Sequence, residues 1–170
     1  MVSCASGPSS SGALDTAFRA NEMETRILES RDRAALADVA PGVFDNAIDP
    51  ALVSEFLSDP RHHLAVAMAG GQVIGFASGV HYVHPDKPAE LWINEVGVSP
   101  DHQGHGVGKA VVRALLEHGK RLGCEQAWVL TDSENAAAMR LYASVGGQAD
   151  PHPSVMFTFT LGRPNGSATG

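Results

Sequence analysis

Residues 96–123 read VGVSPDHQGHGVGKAVVRALLEHGKRLG. An apolar run ends at Val98, three glycines follow in five positions (Gly104, Gly106 and Gly108), and apolar residues then recur at helical spacing. The stretch joins a strand to a helix through the most permissive backbone available. A helix start carries backbone N–H groups with no internal partner, together with the positive end of the helix dipole, and that combination binds anions. Gln103, Gly104, His105, Gly106, Val107, Gly108 and Lys109 therefore read as an anion cradle suited to a pyrophosphate.

Two familiar phosphate loops fail here. A Walker A loop needs Gly, four residues, then Gly-Lys-Ser/Thr; Gln103 stands at the first glycine and Ala110 follows Lys109. A dinucleotide fingerprint needs Gly-x-Gly-x-x-Gly after the first strand of a parallel unit, whereas the spacing here is Gly104-x-Gly106-x-Gly108 and three strand candidates precede it.

Outward from the loop, the pattern predicts strands over 23–28, 63–68, 73–83 and 90–98, with a hairpin turn at Gly70-Gly71. Helices are expected over 31–39, with Ser30 as N-cap, over 50–57, with Pro50 in the first turn, and over 106–122, with Gly123 as C-cap. A strand over 126–131, a helix over 134–145 and a last strand over 155–161 (VMFTFTL) complete the order. A hairpin and third strand followed by a crossover helix and a parallel strand give an α+β fold with a mixed, mostly antiparallel sheet. Gly97, inside a strong strand, predicts a bulge or a close backbone approach, which would splay the strand at 90–98 from the next one into a V-shaped slot.

The 170 residues suit one domain, read as 23–162 between a Ser/Gly/Ala-rich flexible extension (1–22) and a short flexible tail (163–170). The net charge of −7, from 12 Lys+Arg against 19 Asp+Glu, argues against nucleic acid and anionic membrane partners and favours cationic small molecules or basic peptides. Two distant cysteines suggest neither a disulfide framework nor a zinc site. The first 22 residues lack the basic and apolar regions of a signal peptide, and no apolar run reaches membrane length, so a cytoplasmic protein is expected. Eight histidines raise the question of a metal. In the closest pairs, His81/His84 and His102/His105, the two residues point to different faces, so no metal site is expected.

The loop does satisfy Gln/Arg-x-x-Gly-x-Gly/Ala through Gln103, Gly106 and Gly108. Downstream, NAAAMRLYASVGG matches Asn-x-x-Ala-x-x-x-Tyr-x-x-x-Gly through Asn135, Ala138, Tyr142 and Gly146, with Gly147 where an aromatic is usual. Together, in this order and with a strand between them, the two segments resemble the GNAT superfamily of acetyl-CoA-dependent N-acetyltransferases over residues 23–162. The resemblance implies acetyl-CoA as co-substrate. The backbone of Val96, Gly97 and Val98 would pair with its pantetheine arm, and Val98 N–H would polarise the acetyl carbonyl. Residues 103–109 would hold the pyrophosphate, Asn135 and Ala138 would contact the coenzyme, and Tyr142 would sit near its sulfur and protonate the leaving thiolate. A homodimer through the late strands is a further expectation carried over from the family.

Acetyl transfer needs a neutral amine, and an ammonium with an ordinary pKa of about 10 must give its proton to a base. Glu95, on the strand just before the expected bulge, is the candidate; the alternative is a structural partner in His81, His84 or Arg140. The whole segment 82–112 further resembles the aminoglycoside 3-N-acetyltransferases of the GNAT type, with Glu95 where those enzymes usually carry Asp. That resemblance implies an acceptor site walled by acids, for which Asp45, Asp49, Glu55, Asp59 and Glu90 are available, with Glu95 and Asp45 the strongest candidates and His84 a further lining residue.

Overall fold

The computed structural model describes residues 23–152 and 154–161. The expected extension (1–22) and tail (163–170) lie outside the described residues. Five strands form one sheet in the order of the chain: β1 (Glu24–Ile27), β2 (His62–Ala69), β3 (Gln72–Tyr82), β4 (Glu90–Val98) and β5 (Gln126–Val129). The first four run antiparallel and β5 runs parallel to β4. The helices are α1 (Pro50–Ser58), α2 (Val107–Arg121) and α3 (Ala136–Ser144).

Alternation along the strands separates two faces. Val107, Val111, Val112 and Leu115 of α2 are buried together with Ala65, Ala67, Ala77, Leu91 and Ile93 of the sheet. The other face turns Leu64, Val66 and Phe76 toward the segment 38–48 and α1. Asp49 caps α1, its carboxylate accepting from Ala51 N–H at 2.7 Å.

Three expectations are corrected. Residues 31–39 do not form an α-helix but a 3₁₀ helix, Ser30–Ala37, capped by Glu29 and Asp32 in a reciprocal box. The first of these residues are polar and carry no apolar stripe wide enough to seat a full α-helix. The strand expected over 126–131 ends at Val129. The segment 155–161 forms no ladder, and its Val155, Met156, Phe157, Phe159 and Leu161 are 76–88% exposed. Its Val/Phe/Thr composition fits a pleated surface, but propensity supplies no partner strand.

Candidate active site

The slot arises from a difference in strand length. The β4–β5 ladder runs from Glu90↔Gln126 to Ile93↔Val129 and stops, while β4 continues to Val98. On its other edge β4 stays paired to β3 down to Val98↔Gly75, and Ser99 N–H then bonds to Ile74 O at 3.0 Å. Backbone groups alternate sides along an antiparallel strand, so Val96 and Val98 turn their N–H and C=O toward the splayed edge. Val98 O accepts from Gln103 Nε2 at 3.3 Å, which ties the glycine loop to the end of the strand.

The bulge lies at Asn94, not at Gly97. Ser78 pairs with Glu95 and Gly79 with Ile93, leaving Asn94 as the extra residue. That insertion turns Glu95 onto the face of Trp92, Phe76 and Ser78. Gly97 serves the close approach instead. A Cβ there would collide with the Val43 carbonyl oxygen and sit 2.6 Å from Phe76 Cε1. The segment it admits is pinned at its base by Ala40 N–H to Val73 O (2.8 Å) and Val73 N–H to Asp38 O (2.9 Å), and Phe44 stacks on Phe76 with centroids 4.0 Å apart. Asp45 follows directly and acts electrostatically on Glu95. Burial, and then the Asp45 charge, raise the Glu95 carboxyl above its ordinary pKa, although the side chain still reaches solvent. None of His81, His84 or Arg140 bonds to Glu95; His81 is occupied by His63, Nδ1 to Nε2 at 2.7 Å.

At the other end of the slot Gly104 and Gly106 hold φ of 77° and 85°, and a Cβ at either would meet nothing within 4 Å. Gly106 is the N-cap of α2, and the first i to i−4 bond within the helix is Ala110 N–H to Gly106 O at 3.0 Å. The N–H groups of Val107, Gly108 and Lys109 precede that bond and face the loop. This open, left-handed cradle fits a pyrophosphate. The side chain of Val107 is buried in the core, and Gly108 lets Leu141 of α3 approach to 3.3 Å of a would-be Cβ. Those two residues therefore offer only backbone to a ligand.

Tyr142 projects from α3 and packs against the core. Burial raises its pKa, which keeps the phenol protonated, and among the described residues its hydroxyl makes no hydrogen bond. The Asn135 side-chain Oδ1 caps α3, accepting from Ala138 N–H at 3.0 Å, which leaves its amide N–H donors for a coenzyme. The unusual Gly147 is accommodated: its N–H bonds to Tyr142 O at 2.9 Å, and a Cβ would lie equally close to that oxygen.

Of the other acids, Asp49 is a helix cap, Asp59 is engaged by Arg61, and Glu90 accepts from Lys87 Nζ (2.6 Å) and from the Tyr82 hydroxyl (2.7 Å). Glu55 is exposed on α1, and Asp45 and Glu95 are the pair of carboxylates that act on each other at the slot. His84 packs edge-on to Tyr82 with its Nε2 enclosed and without a partner among the described residues. Sequence reasoning missed the aromatic group beside it: Trp92 stacks on Trp128 (centroids 5.6 Å, 15°), and Trp128 Nε1–H donates to the Tyr82 hydroxyl oxygen at 2.7 Å. The signal was the parallel register of two Trp-containing strands, which composition does not reveal.

Residues 26–146 match the model of the acetyltransferase (GNAT) family. The chain is 37% identical over 106 residues to the N-alpha-acetyltransferase RimI of Mycobacterium tuberculosis, covering 62% of this chain and 65% of that protein. It is 38% identical over 89 residues to the mycothiol acetyltransferase of Pseudarthrobacter chlorophenolicus, covering 52% of this chain and 28% of that one. The chain thus spans less than two thirds of the length of these curated relatives. Among solved structures, an aminoglycoside acetyltransferase from an uncultured soil metagenomic sample, in complex with sisomicin, superposes with a TM-score of 0.72 at 19% identity, over 84% of this chain and 98% of that one. Aminoglycoside N-acetyltransferase AAC(6')-Iy in complex with CoA superposes at 0.64 with 24% identity, over 81% of this chain and 94% of that one. Fold, slot and glycine cradle agree with the family match, and the chain belongs to the acetyltransferase (GNAT) family.

Proposed function

We propose that the protein is an acetyl-CoA-dependent N-acetyltransferase acting on a primary amine of a cationic small molecule, with the 3-amino group of an aminoglycoside as the first acceptor to test. The observation that carries this reading is the placement of Glu95. The Asn94 bulge sets its carboxylate beside the open half of β4, with Asp45 adding a second negative charge. Acetyl-CoA supplies the activated acetyl thioester. The cradle at 103–109 anchors its pyrophosphate, and the backbone of Val96 and the Val98 N–H on the splayed edge receive its arm. Glu95, with its raised pKa, takes the proton from the acceptor ammonium, and the paired carboxylates draw that cation in. Val98 N–H faces the carbonyl oxygen as negative charge develops. Tyr142, held protonated by burial, gives its proton to the departing sulfur.

A second reading rests on the 37% identical relative, named an N-alpha-acetyltransferase: the acceptor is then the α-amine of a peptide. Thiol release from acetyl-CoA, measured against kanamycin, gentamicin, spermidine and a basic peptide, separates the two. Turnover confined to the drugs or spermidine supports the small-polycation reading. Turnover confined to the peptide overturns it in favour of the second.

A further inference from the structure

We propose that Trp92 and Trp128 form the shelf that receives the non-reacting body of the acceptor, so that this pair, together with Tyr82, sets acceptor specificity. The proposal rests on the small-polycation reading above and extends it.

The shelf lies on the same sheet face as Glu95. Across the Asn94 bulge, Trp92 and Glu95 lie opposite Val80 and Ser78, two residues apart on β3, about 7 Å at ~3.3 Å per residue. A polyamine or a two-ring aminoglycoside spans that distance with one amine at Glu95. The two indoles stack at 5.6 Å and 15°, each covering one face of the other, and Trp128, on the outer strand of the described sheet, is 38% exposed. An exposed aromatic pair on a sheet is ordinarily free to move, but here the tip of one ring is fixed. Trp128 Nε1–H bonds to the Tyr82 oxygen, the Tyr82 hydroxyl bonds to Glu90, and Lys87 holds the other Glu90 oxygen. The relay satisfies the polar edge of Trp128 and holds Glu90 ionised. Rigid aromatic surface costs a ligand little ordering. α1, which covers part of this face, packs on β2 and the 3₁₀ helix.

The chemistry of the surface selects its occupant. Aromatic faces attract cations and the apolar faces of saturated rings. Asp45 and Glu95 add negative charge at one end, while Glu90 is neutralised by Lys87 and serves to fix Tyr82. A polycation with a compact saturated body meets both the aromatic pair and the two acids.

The chain contains two tryptophans, both in the shelf, so intrinsic indole fluorescence reports on this surface and nothing else. The experiment titrates kanamycin, spermidine and a basic peptide into the protein while following that emission, beside steady-state kinetics of wild type, Trp128→Ala and Trp128→Phe. The expected result is a saturable change in emission at the concentration of the acceptor KM. Trp128→Ala should raise acceptor KM about tenfold, with kcat and the acetyl-CoA KM within twofold of wild type, and Trp128→Phe should restore most of the loss. Turnover with an unchanged acceptor KM in Trp128→Ala, and a flat emission signal, overturns the shelf while leaving acetyl transfer intact. Saturable emission with the drugs but no turnover of any amine supports the shelf and counts against the proposed reaction. A response to the peptide alone overturns the assignment to small polycations.

Discussion

Protonation of His63 should destabilise the protein as pH falls from about 6.5 to 4, a loss that begins above the carboxylate range. His63 of β2 is 6% exposed and sits in a chain of rings: its Nδ1 lies 3.0 Å from His118 Nε2 on α2, and its Nε2 lies 2.7 Å from His81 Nδ1 on β3. Arg121, which can only donate, approaches His118 Nδ1 at 3.4 Å. His118 Nδ1 must then accept, so His118 donates through Nε2 to His63, and His63 donates through Nε2 to His81. A second proton on His63 Nδ1 would face the His118 N–H. Burial first, then the charges of His118, His81 and neighbouring His62, lower the His63 pKa from 6.5 to about 4, with Asp59 opposing weakly. The unfolded chain therefore takes up the proton at higher pH than the native one. Stability from this group is complete above about pH 6.5, is lost as pH falls toward 4, and changes no further below that. The gap between 6.5 and about 4 corresponds to roughly 3 kcal/mol, and His118, lowered by burial and by Arg121, adds in the same direction. Urea unfolding from pH 7.5 to 4.5 should show this fall in wild type and a much shallower one in His63→Gln. Equal slopes in the two proteins, or a wild-type stability constant within about 0.5 kcal/mol, would refute the reasoning.

Three other expectations concern the slot. Gly97→Ala drives a Cβ into the Val43 carbonyl and Phe76, so unfolding should cost about 1–3 kcal/mol less, and acceptor KM should rise as the segment carrying Asp45 is displaced; urea melts and kinetics check both. Gly106→Ala has room but must hold φ at 85°, a strain of about 1–2 kcal/mol; calorimetry should find acetyl-CoA affinity reduced about tenfold. Asp45→Asn removes the charge that helps raise the Glu95 pKa, so the acid limb of kcat/KM should move to lower pH while the alkaline limb stays.

The sequence made the cradle legible because glycine spacing and a helix start are local facts. The same holds for the hairpin and for the parallel β5. Glu95 lies on β4 as the pattern predicts, but the bulge precedes it at Asn94 rather than following it at Gly97, and it depends on the register between β3 and β4, which Gly97 does not encode. The role of Gly97 depends on Val43, 54 positions earlier in the chain. Asp49, Asp59 and Glu90 look in sequence like acceptor-site acids, yet a cap and two basic partners engage them. The VMFTFTL segment has the composition of a strand, but it pairs with none of the described strands. The Trp92–Trp128 stack was invisible because it depends on one parallel pairing between strands separated by a helix.

The pH dependence of kcat/KM in wild type and Glu95→Gln, with the best acceptor, tests the central claim most directly. The wild-type profile should show an acid limb above the ordinary carboxylate range, and Glu95→Gln should lose 10²–10⁴-fold together with that limb, while acetyl-CoA still binds. A variant within threefold of wild type, with the same acid limb, would contradict Glu95 as the base.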